Sequence, residues 1–254
     1  MPPAPLAGRR IVVTRARAQA SDLVQRLTAL GAEVVSAPVI RIEPLPDLTP
    51  LRHALAALAT YDWVAFTSSN AVEVACTERA AFAGVRVAAI GPATADALAR
   101  RGVAVALVPE PHVAEALVAA LAARGVSGKR VLVPCAERAR PALADGLRAH
   151  GAAVDVVPVY RTVADGGDGT ELARQLLAGS VDAVTFTSSS TVEHFVALVG
   201  TPAATSGRFI AAVIGPVTAA TATELGVAAG GLIEAEPSTA AGLTAALVRR
   251  FAAA

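Results

Sequence analysis

The sequence has few aromatic residues and almost no excess charge. Aromatic residues make up 4% of the 254 positions, whereas hydrophobic residues, mostly Ala, Val and Leu, make up 54%. This balance is typical of helices and buried strands rather than of a disordered chain. The formal net charge of +1 gives no global field that would hold a polyanion, so nucleic acid is not an expected partner. Any anionic ligand must therefore be bound by local groups.

Cysteines are few and long apolar runs are missing. Cys76 and Cys135 are too few for a metal cage or a disulfide framework, and we expect both to be buried thiols. The segment Met1–Gly8 lacks the charged start and unbroken apolar core of a signal peptide. Apolar runs such as Ile210–Ile214 are too short to span a bilayer. We therefore expect a cytoplasmic protein that has no membrane partner.

Common catalytic signatures are also missing. The sequence contains no G-x-G-x-x-G, no phosphate-binding G-x-x-x-x-G-K-[ST], no G-x-S-x-G and no pair of histidines at metal-binding spacing. His53, His112, His150 and His194 lie on predicted helices or at their ends. We expect each of them to be structural or exposed rather than a base, and we predict no metal site.

An internal repeat organises the chain. A shift of 120 positions, or of 124 further along, aligns three pairs of segments: Gly8–Val13 with Gly128–Val133, Asp62–Glu73 with Asp182–Glu193, and Ile90–Ala95 with Ile214–Ala219. Two copies of a unit of about 120 residues are too few and too long for a solenoid. The repeat therefore predicts a pseudo-symmetric protein with two lobes.

Within each copy, short Val/Ile runs alternate with Ala/Leu-rich stretches at helical spacing, which is the βαβ pattern of a parallel sheet. In the first copy we predict strands at Arg10–Val13, Glu33–Ser36, Trp63–Phe66, Arg86–Ile90 and Val105–Leu107, and helices that begin near Ser21, Ser69, Thr94 and Val113. In the second copy we predict strands at Val131, Val154, Ala183, Ala211 and Gly231. The predicted fold class is α/β, with two lobes that each contain a parallel sheet flanked by helices, joined by a two-stranded linker.

Pro38 and Pro158 lie inside otherwise extended runs. Because proline removes a ladder donor, we interpret each run as a strand that ends, followed by an extended segment that leaves the sheet as a linker. The pattern leaves two topologies open. The lobes are either sequential, 1–124 and 125–254, or each is assembled from parts of both copies.

Polar residues follow several predicted strands, at the edge where open parallel sheets bind ligands. Small hydroxyl side chains there either cap the next helix or bind a ligand beside an N-terminus that favours anions, and the sequence leaves both roles open. The candidates in the Ser/Thr turns are Ser68, Ser69, Asn70, Ser188, Ser189 and Ser190. The candidates in the Gly-Pro turns are Gly91, Thr94, Gly215 and Thr218.

The turn after the first strand of each copy carries arginines. These side chains either bind carboxylates or remain solvated at the surface. The candidates are Thr14, Arg15 and Arg138, with Arg17 and Arg140 nearby. Tyr61 is expected to pack, whereas Tyr160 lies in a predicted linker, where a protonated phenol can serve as a weak general acid.

In order and spacing, these motifs resemble the uroporphyrinogen-III synthase family. The motifs are Val12-Val-Thr-Arg, Tyr61-Asp-Trp-Val-Ala-Phe-Thr-Ser-Ser-Asn-Ala-Val, Ala89-Ile-Gly-Pro-Ala-Thr-Ala, Val157-Pro-Val-Tyr-Arg-Thr, Phe186-Thr-Ser-Ser-Ser and Ile214-Gly-Pro-Val-Thr-Ala. Each alone is common, but their joint order is specific. The resemblance implies interleaved lobes, with residues 1–37 and 164–254 in one, 44–157 in the other, and linkers at 38–43 and 158–163.

The resemblance also implies a lyase that acts on hydroxymethylbilane, a linear tetrapyrrole with eight carboxylates, without metal or organic cofactor. We expect a monomer. Loss of the terminal hydroxyl as water leaves an electrophilic methylene. The last pyrrole attacks it through its substituted carbon, and the spiro intermediate then fragments and recloses with that ring inverted. Tyr160 matches the family's proposed acid. The alternatives are a two-lobed small-molecule binding protein without catalysis and, less favoured, a nucleotide-sugar transferase.

Overall fold

Helices and strands alternate along residues 4–78 and 82–252, which are the parts of the chain that the computed structural model describes. The chain divides into two units. Unit 1 comprises the described residues of Met1–Arg41 and Thr162–Ala254, and unit 2 comprises those of Ile42–Arg161. The chain thus passes from one unit to the other twice, and each unit draws on both copies of the repeat.

Unit 1 contains a five-stranded parallel sheet with the order β10-β9-β8-β1-β2. Its strands are β1 (Arg10–Val13), β2 (Glu33–Ser36), β8 (Ala183–Phe186), β9 (Ile210–Val213) and β10 (Leu232–Glu234). Its helices are α1 (Arg17–Ala29), α7 (Thr170–Ala178), α8 (Ser189–Val199), α9 (Thr201–Ala204), α10 (Pro216–Glu224) and α11 (Ala240–Ala252). Apart from Arg10 and Thr185, the central strands β1, β8 and β9 are apolar, because helices cover both faces of a parallel sheet. Phe195 of α8 packs edge to face against both Phe186 and Phe209.

Unit 2 contains a sheet with the order β3-β7-β6-β4-β5, in which β4 to β7 are parallel. Its strands are β3 (Ile40–Pro44), β4 (Trp63–Phe66), β5 (Arg86–Ala89), β6 (Arg130–Ala136) and β7 (Ala153–Ala164), with the ends of β3 and β7 continuing into unit 1. Its helices are α2 (Thr49–Ala56), α3 (Ser69–Glu78), α4 (Pro92–Arg100), α5 (Ala114–Ala122) and α6 (Ala142–Ala149). Alternate residues of β4 enter two separate apolar clusters, so both faces of the sheet are packed.

The strand order is the same in both units once the copies are matched. The order β2-β1-β8-β9-β10 in unit 1 corresponds to β7-β6-β4-β5 in unit 2, where an isolated parallel bridge between Ala88 and Leu107 takes the place of the last strand. The order 2-1-3-4-5 is that of flavodoxin-like folds, in which ligands bind beyond the carboxyl ends of the strands. The predicted α/β class with parallel sheets is confirmed.

Several predicted bounds need correction. The segment Val105–Leu107 forms only the bridge to Ala88 rather than a strand. Helix α1 begins at Arg17, four residues before the predicted start at Ser21. Helices α2 and α9 lie where no helix was predicted.

The prediction that a strand ends at Pro158 is wrong, because β7 continues from Ala153 to Ala164. Its register against β6 shifts at this point: Cys135 pairs with Pro158, and Ala136 pairs with Tyr160. The irregularity leaves Val159 outside the ladder with β6, so the strand accommodates a residue that has no N–H to donate. Pro38, by contrast, does separate β2 from β3.

Candidate functional site

The candidate site in unit 2 is centred on Tyr160, at the last pair of the ladder between β6 and β7. Its ring is buried, with 7% of its surface exposed, among the apolar residues under α2, α3 and α4. The Tyr160 hydroxyl lies 3.1 Å from Ser68 Oγ and also forms a hydrogen bond with the side chain of Asn70. Ser68 and Asn70 belong to the turn between β4 and α3, so the fold brings three candidates from distant parts of the sequence into one cluster.

Burial raises the pKa of the Tyr160 phenol above its ordinary value, and the hydrogen bonds with Ser68 and Asn70 act in the opposite direction. The phenol is therefore protonated at neutral pH. The two neighbouring side chains stabilise the negative charge that would develop on the oxygen if the proton were given away. The cluster thus holds a buried proton donor whose conjugate base has two hydrogen-bond partners.

Ser68 also caps the helix that follows it. Its Oγ accepts a hydrogen bond from the Ala71 N–H at 3.1 Å, while Thr67 to Asn70 are all partly exposed. Capping and contact with Tyr160 are therefore compatible, because one hydroxyl can accept from the backbone and still meet a second group.

The His112 side chain packs against the Gly-Pro turn of unit 2. It was not among the predicted site residues. A Cβ at Gly91 would lie 3.1 Å from His112 Cβ and 3.2 Å from its Cγ, so glycine is what lets the imidazole come this close. His112 Nδ1 lies 2.8 Å from the Pro109 carbonyl oxygen, which can only accept. Nδ1 therefore carries the proton, and in the neutral ring Nε2 keeps its lone pair.

Unit 1 repeats this arrangement with Ser238. A Cβ at Gly215 would lie 3.1 Å from Ser238 Oγ. The shared signal is Glu-Pro-x, since Glu110-Pro111 precedes His112 and Glu236-Pro237 precedes Ser238, and both of these peptide bonds are cis. These two segments are 126 positions apart, so shifts of 120 and 124 do not align them. Thr94 and Thr218, one turn further along, are each 4% exposed.

The Ser/Thr turn of unit 1 is a capping box. Ser188 Oγ accepts from the Thr191 N–H, and the Thr191 hydroxyl oxygen accepts from the Ser188 N–H. Ser188 Oγ also lies 3.0 Å from Ser190 Oγ, and Ser189 Oγ accepts from Thr221 Oγ1 at 2.7 Å. All three serines are partly exposed. Their hydroxyls combine a helix cap with an open polar surface at the N-terminus of α8, which favours anions.

Thr14 and Arg15, which follow β1, have different surroundings. Thr14 is completely buried, and its hydroxyl donates to the Thr185 carbonyl at 2.6 Å. Arg15 is partly exposed and, among the described residues, has no hydrogen-bond or ion-pair partner. Burial lowers the pKa of its guanidinium, while the Asp22 carboxylate acts in the opposite direction. Arg15 is therefore a charged, partly desolvated group that is available to an anion.

The other predicted side chains divide between surface and packing. Arg138 is exposed in the loop after β6. Tyr61 packs as expected, since it is buried and donates to Asp155 Oδ2 at 2.7 Å. Cys76 and Cys135 are buried free thiols, as predicted.

The part of the chain that the structure describes contains neither a cluster of metal-binding side chains nor a membrane-spanning helix. No group of three or more His, Cys, Asp or Glu side chains in them is placed to hold a metal ion. No helix among them is long and apolar enough to cross a membrane.

Known proteins resemble this chain along nearly its whole length. A family model described as HEM4, uroporphyrinogen-III synthase HemD, matches residues 21–245. The uroporphyrinogen-III synthase of Synechococcus elongatus is 33% identical over 234 residues, which are 87% of this chain and 88% of that protein.

Two solved structures share the fold. A mutant uroporphyrinogen III synthase of the extremely thermophilic bacterium Thermus thermophilus matches 96% of this chain and 99% of its own, with a TM-score of 0.65 and 23% identity. The uroporphyrinogen-III synthetase of Helicobacter pylori matches 95% and 99% of the two chains, with a TM-score of 0.56 and 18% identity.

The family model covers most of the chain, and the sequence relative exceeds 30% identity, so the comparisons favour an enzyme over a binding protein. The order of the motifs around Tyr160, Gly91 and Ser188 had indicated the same assignment. The chain belongs to the uroporphyrinogen-III synthase family, whose members are cyclising lyases of haem biosynthesis.

Proposed function

We propose that this chain closes hydroxymethylbilane into uroporphyrinogen III, with loss of water and inversion of the last pyrrole, and that Tyr160 is its general acid. The observation that carries this role is the buried Tyr160 hydroxyl held by Ser68 and Asn70. Tyr160 lies in this cluster at the edge of the unit 2 sheet where the parallel strands end. The hydroxyl of Tyr61, by contrast, donates to Asp155.

The proton balance of the reaction is consistent with one tyrosine. Tyr160 gives its proton to the terminal hydroxyl, which leaves as water, and the methylene becomes electrophilic. The substituted carbon of the last pyrrole forms a bond to this methylene, and the spiro intermediate then breaks its older bond and recloses through the unsubstituted carbon. That carbon loses a proton on rearomatisation. The Tyr160 phenolate, whose raised pKa makes it a good base, takes this proton and is restored.

Positioning supplies the remaining selectivity. The free substrate can close without inversion, so the protein must hold the last ring with its substituted carbon facing the electrophile. Arg15, the Ser188–Ser190 turn and the N-terminus of α3 offer charge and N–H groups for the substrate carboxylates. Because these groups are local, a chain with a net charge of +1 can bind an octa-anion.

The division into lobes that the family resemblance implies is also part of the proposal. We propose lobes at 1–37 with 164–254 and at 44–157, joined by 38–43 and 158–163. In support, the two units change over between Arg41 and Ile42 and between Arg161 and Thr162, inside both linkers. Within these linkers β3 and β7 are hydrogen-bonded neighbours. We further propose that the active form is a monomer, which analytical ultracentrifugation measures directly.

The decisive experiment is an isomer assay. The protein is incubated with hydroxymethylbilane generated enzymatically in place, and the type I and type III products are oxidised and separated by chromatography. We expect the type III isomer, since closure without the protein gives type I. Type I product alone would contradict the proposal.

A further inference from the structure

Unit 2 contains a cavity that none of the predicted roles uses. It has a volume of about 290 Å³ and lies between the ends of β4 and β6 and the start of α6. Its lining residues are Thr67, Val133, Cys135, Ala139, Arg140, Pro141, Leu143, Ala144, Arg148 and Val156. Thr67 directly precedes Ser68, so the cavity adjoins the turn that holds the Tyr160 hydroxyl.

Two guanidinium groups line this cavity, and no carboxylate of a described residue does. Arg140 is exposed and, among the described residues, has no hydrogen-bond or ion-pair partner. Arg148 donates to the Val154 carbonyl at 3.0 Å and lies 3.4 Å from Asp145 Oδ1, a long contact between exposed groups. The cavity therefore offers one unpaired positive charge and one weakly paired one, which suits a carboxylate.

The walls of the cavity are apolar. Val133 and Leu143 are buried, and the Cys135 thiol beside them is 2% exposed. Burial raises the pKa of this thiol to about 11, so it is neutral at physiological pH and does not repel an anion. The apolar walls suit a flat ring, and the two arginines suit a carboxylate attached to that ring. A small inorganic anion would match the arginines but not the apolar walls.

The volume limits the occupant to a single ring. Pockets that bury drug-sized ligands have volumes of about 300–1,000 Å³, so this cavity cannot take four linked pyrroles.

We infer that the cavity bounded by Arg140, Arg148 and Thr67 binds one pyrrole ring of the substrate together with an acidic side chain of that ring. The inference rests on the proposed function, because the tetrapyrrole supplies the ring and its carboxylates. It assigns Arg140, which lines the cavity, rather than Arg138 of the same loop, which does not, as a specificity-determining residue.

The test uses the intact chain and porphobilinogen, a monopyrrole that carries one acetate and one propionate, as the probe. Binding is measured by calorimetry on the wild type and on three variants, each checked first by thermal melting. Arg140→Gln removes the unpaired charge, and Ala139→Phe fills the cavity from an exposed position without changing charge. Arg100→Gln, on the last turn of α4, is the control with the same charge change outside the cavity.

We expect Arg140→Gln and Ala139→Phe each to weaken the probe roughly tenfold or more, in line with the loss of a charge-assisted contact or of space, and Arg100→Gln to bind as the wild type does. Arg140→Gln should also raise the KM for hydroxymethylbilane and leave kcat unchanged. Absence of probe binding to the wild type, wild-type binding by Arg140→Gln or Ala139→Phe, or an equal loss in Arg100→Gln would each overturn the inference. The isomer assay on the wild type reports on the proposed function separately.

Discussion

The two tyrosines of the chain both belong to unit 2 but have different partners. Tyr61 precedes β4 and donates to Asp155, while the Arg130 guanidinium stacks 4.5 Å from its ring. Tyr160 lies near the carboxyl end of the sheet and meets Ser68 and Asn70 instead. A phenol bound to a structural carboxylate is unsuited to donate to a substrate, so the catalytic expectation applies to Tyr160 alone.

Tyr160→Phe is expected to lower the single-turnover rate about 10²- to 10⁴-fold, because the ring still fills its place in the core but no proton is offered to the leaving hydroxyl. Rapid-quench kinetics with hydroxymethylbilane measure this rate. Tyr61→Phe is the matched control and should lose stability rather than rate. An undiminished rate in Tyr160→Phe would remove this residue from the mechanism.

The tyrosines should also titrate abnormally. Burial and the Asp155 carboxylate raise the pKa of Tyr61 to about 12, and burial raises that of Tyr160. Native protein should therefore show little phenolate absorbance near pH 10, where unfolded tyrosine titrates. Stopped-flow pH jumps, read before the chain unfolds, measure this absorbance. Half-ionisation of both phenols near pH 10 in the native state would contradict the burial described for them.

The same shift has a defined effect on stability. Because the folded pKa of Tyr61 exceeds the unfolded value, its contribution is complete below about pH 10 and is lost as the pH rises from about 10 to 12. The free energy of unfolding should therefore decline less steeply over this range in Tyr61→Phe than in the wild type. Denaturant titrations at a series of pH values test this, and equal slopes for the two proteins would contradict it.

Ser68 and Ser188 occupy equivalent turns and should respond differently to alanine. Both cap a helix, so each substitution should cost about 1 kcal/mol of stability. Ser68→Ala should in addition lower turnover, because Ser68 also contacts the Tyr160 hydroxyl. Melting curves and kcat for the two variants separate these effects. If Ser68→Ala turns over at the wild-type rate, its role is capping alone.

For individual residues, the sequence predicted which turns carry polar groups but not what each side chain contacts. The repeat identified the Ser68 and Ser188 turns, since both follow apolar strands and precede helices. The positions of His112 and Ser238 beside the Gly-Pro turns were not predicted, because the loops that lead to these residues differ in length between the copies and change the repeat offset. Arg138 and Arg140 are indistinguishable in sequence, since the path of an irregular loop decides which one reaches a cavity.

Helix α11 depends on one glycine for its approach to the loop that connects it with β10. A Cβ at Gly242 would lie 1.9 Å from the Pro237 carbonyl oxygen, so Gly242→Ala must push the helix or the loop away. We expect a loss of about 1–3 kcal/mol or more. Gly167→Ala is the control, because nothing lies within 4 Å of a Cβ there. Thermal unfolding of the two variants measures the difference, and equal midpoints would contradict the close packing of α11.

Strand bounds followed closely from the sequence where apolar runs were short and bounded by turn residues. Arg10–Val13, Glu33–Ser36 and Trp63–Phe66 match the structure residue for residue. The error at Pro158 arose because a proline was taken to end its strand. The register shift opposite Cys135 and Ala136 accommodates it instead, and a shift in pairing depends on the partner strand, which local sequence does not show.

Unit 2 should fold without unit 1. Both apolar clusters of its sheet, the first from Leu48 to Tyr160 and the second from Trp63 to Ala152, lie entirely inside Ile42–Arg161. We expect a protein of residues 42–161 to melt cooperatively and to lack ring-closing activity, since Arg15 and Ser188 belong to unit 1. Circular dichroism and the isomer assay test both parts. A fragment without a melting transition would show that unit 2 needs its neighbour.

The strand composition of the two sheets has a consequence for the ancestry of the chain. Unit 1 takes β1 and β2 from the first copy of the repeat and β8, β9 and β10 from the second, while unit 2 takes the complementary strands. A polypeptide that carried a single copy would have an equivalent of each strand position, and two such molecules would form sheets of this mixed composition by exchanging strands. Gene duplication and fusion would turn that exchanged homodimer into one continuous chain. The two copies would then be free to diverge, and Tyr160 of the second copy stands where the first copy has Ile40.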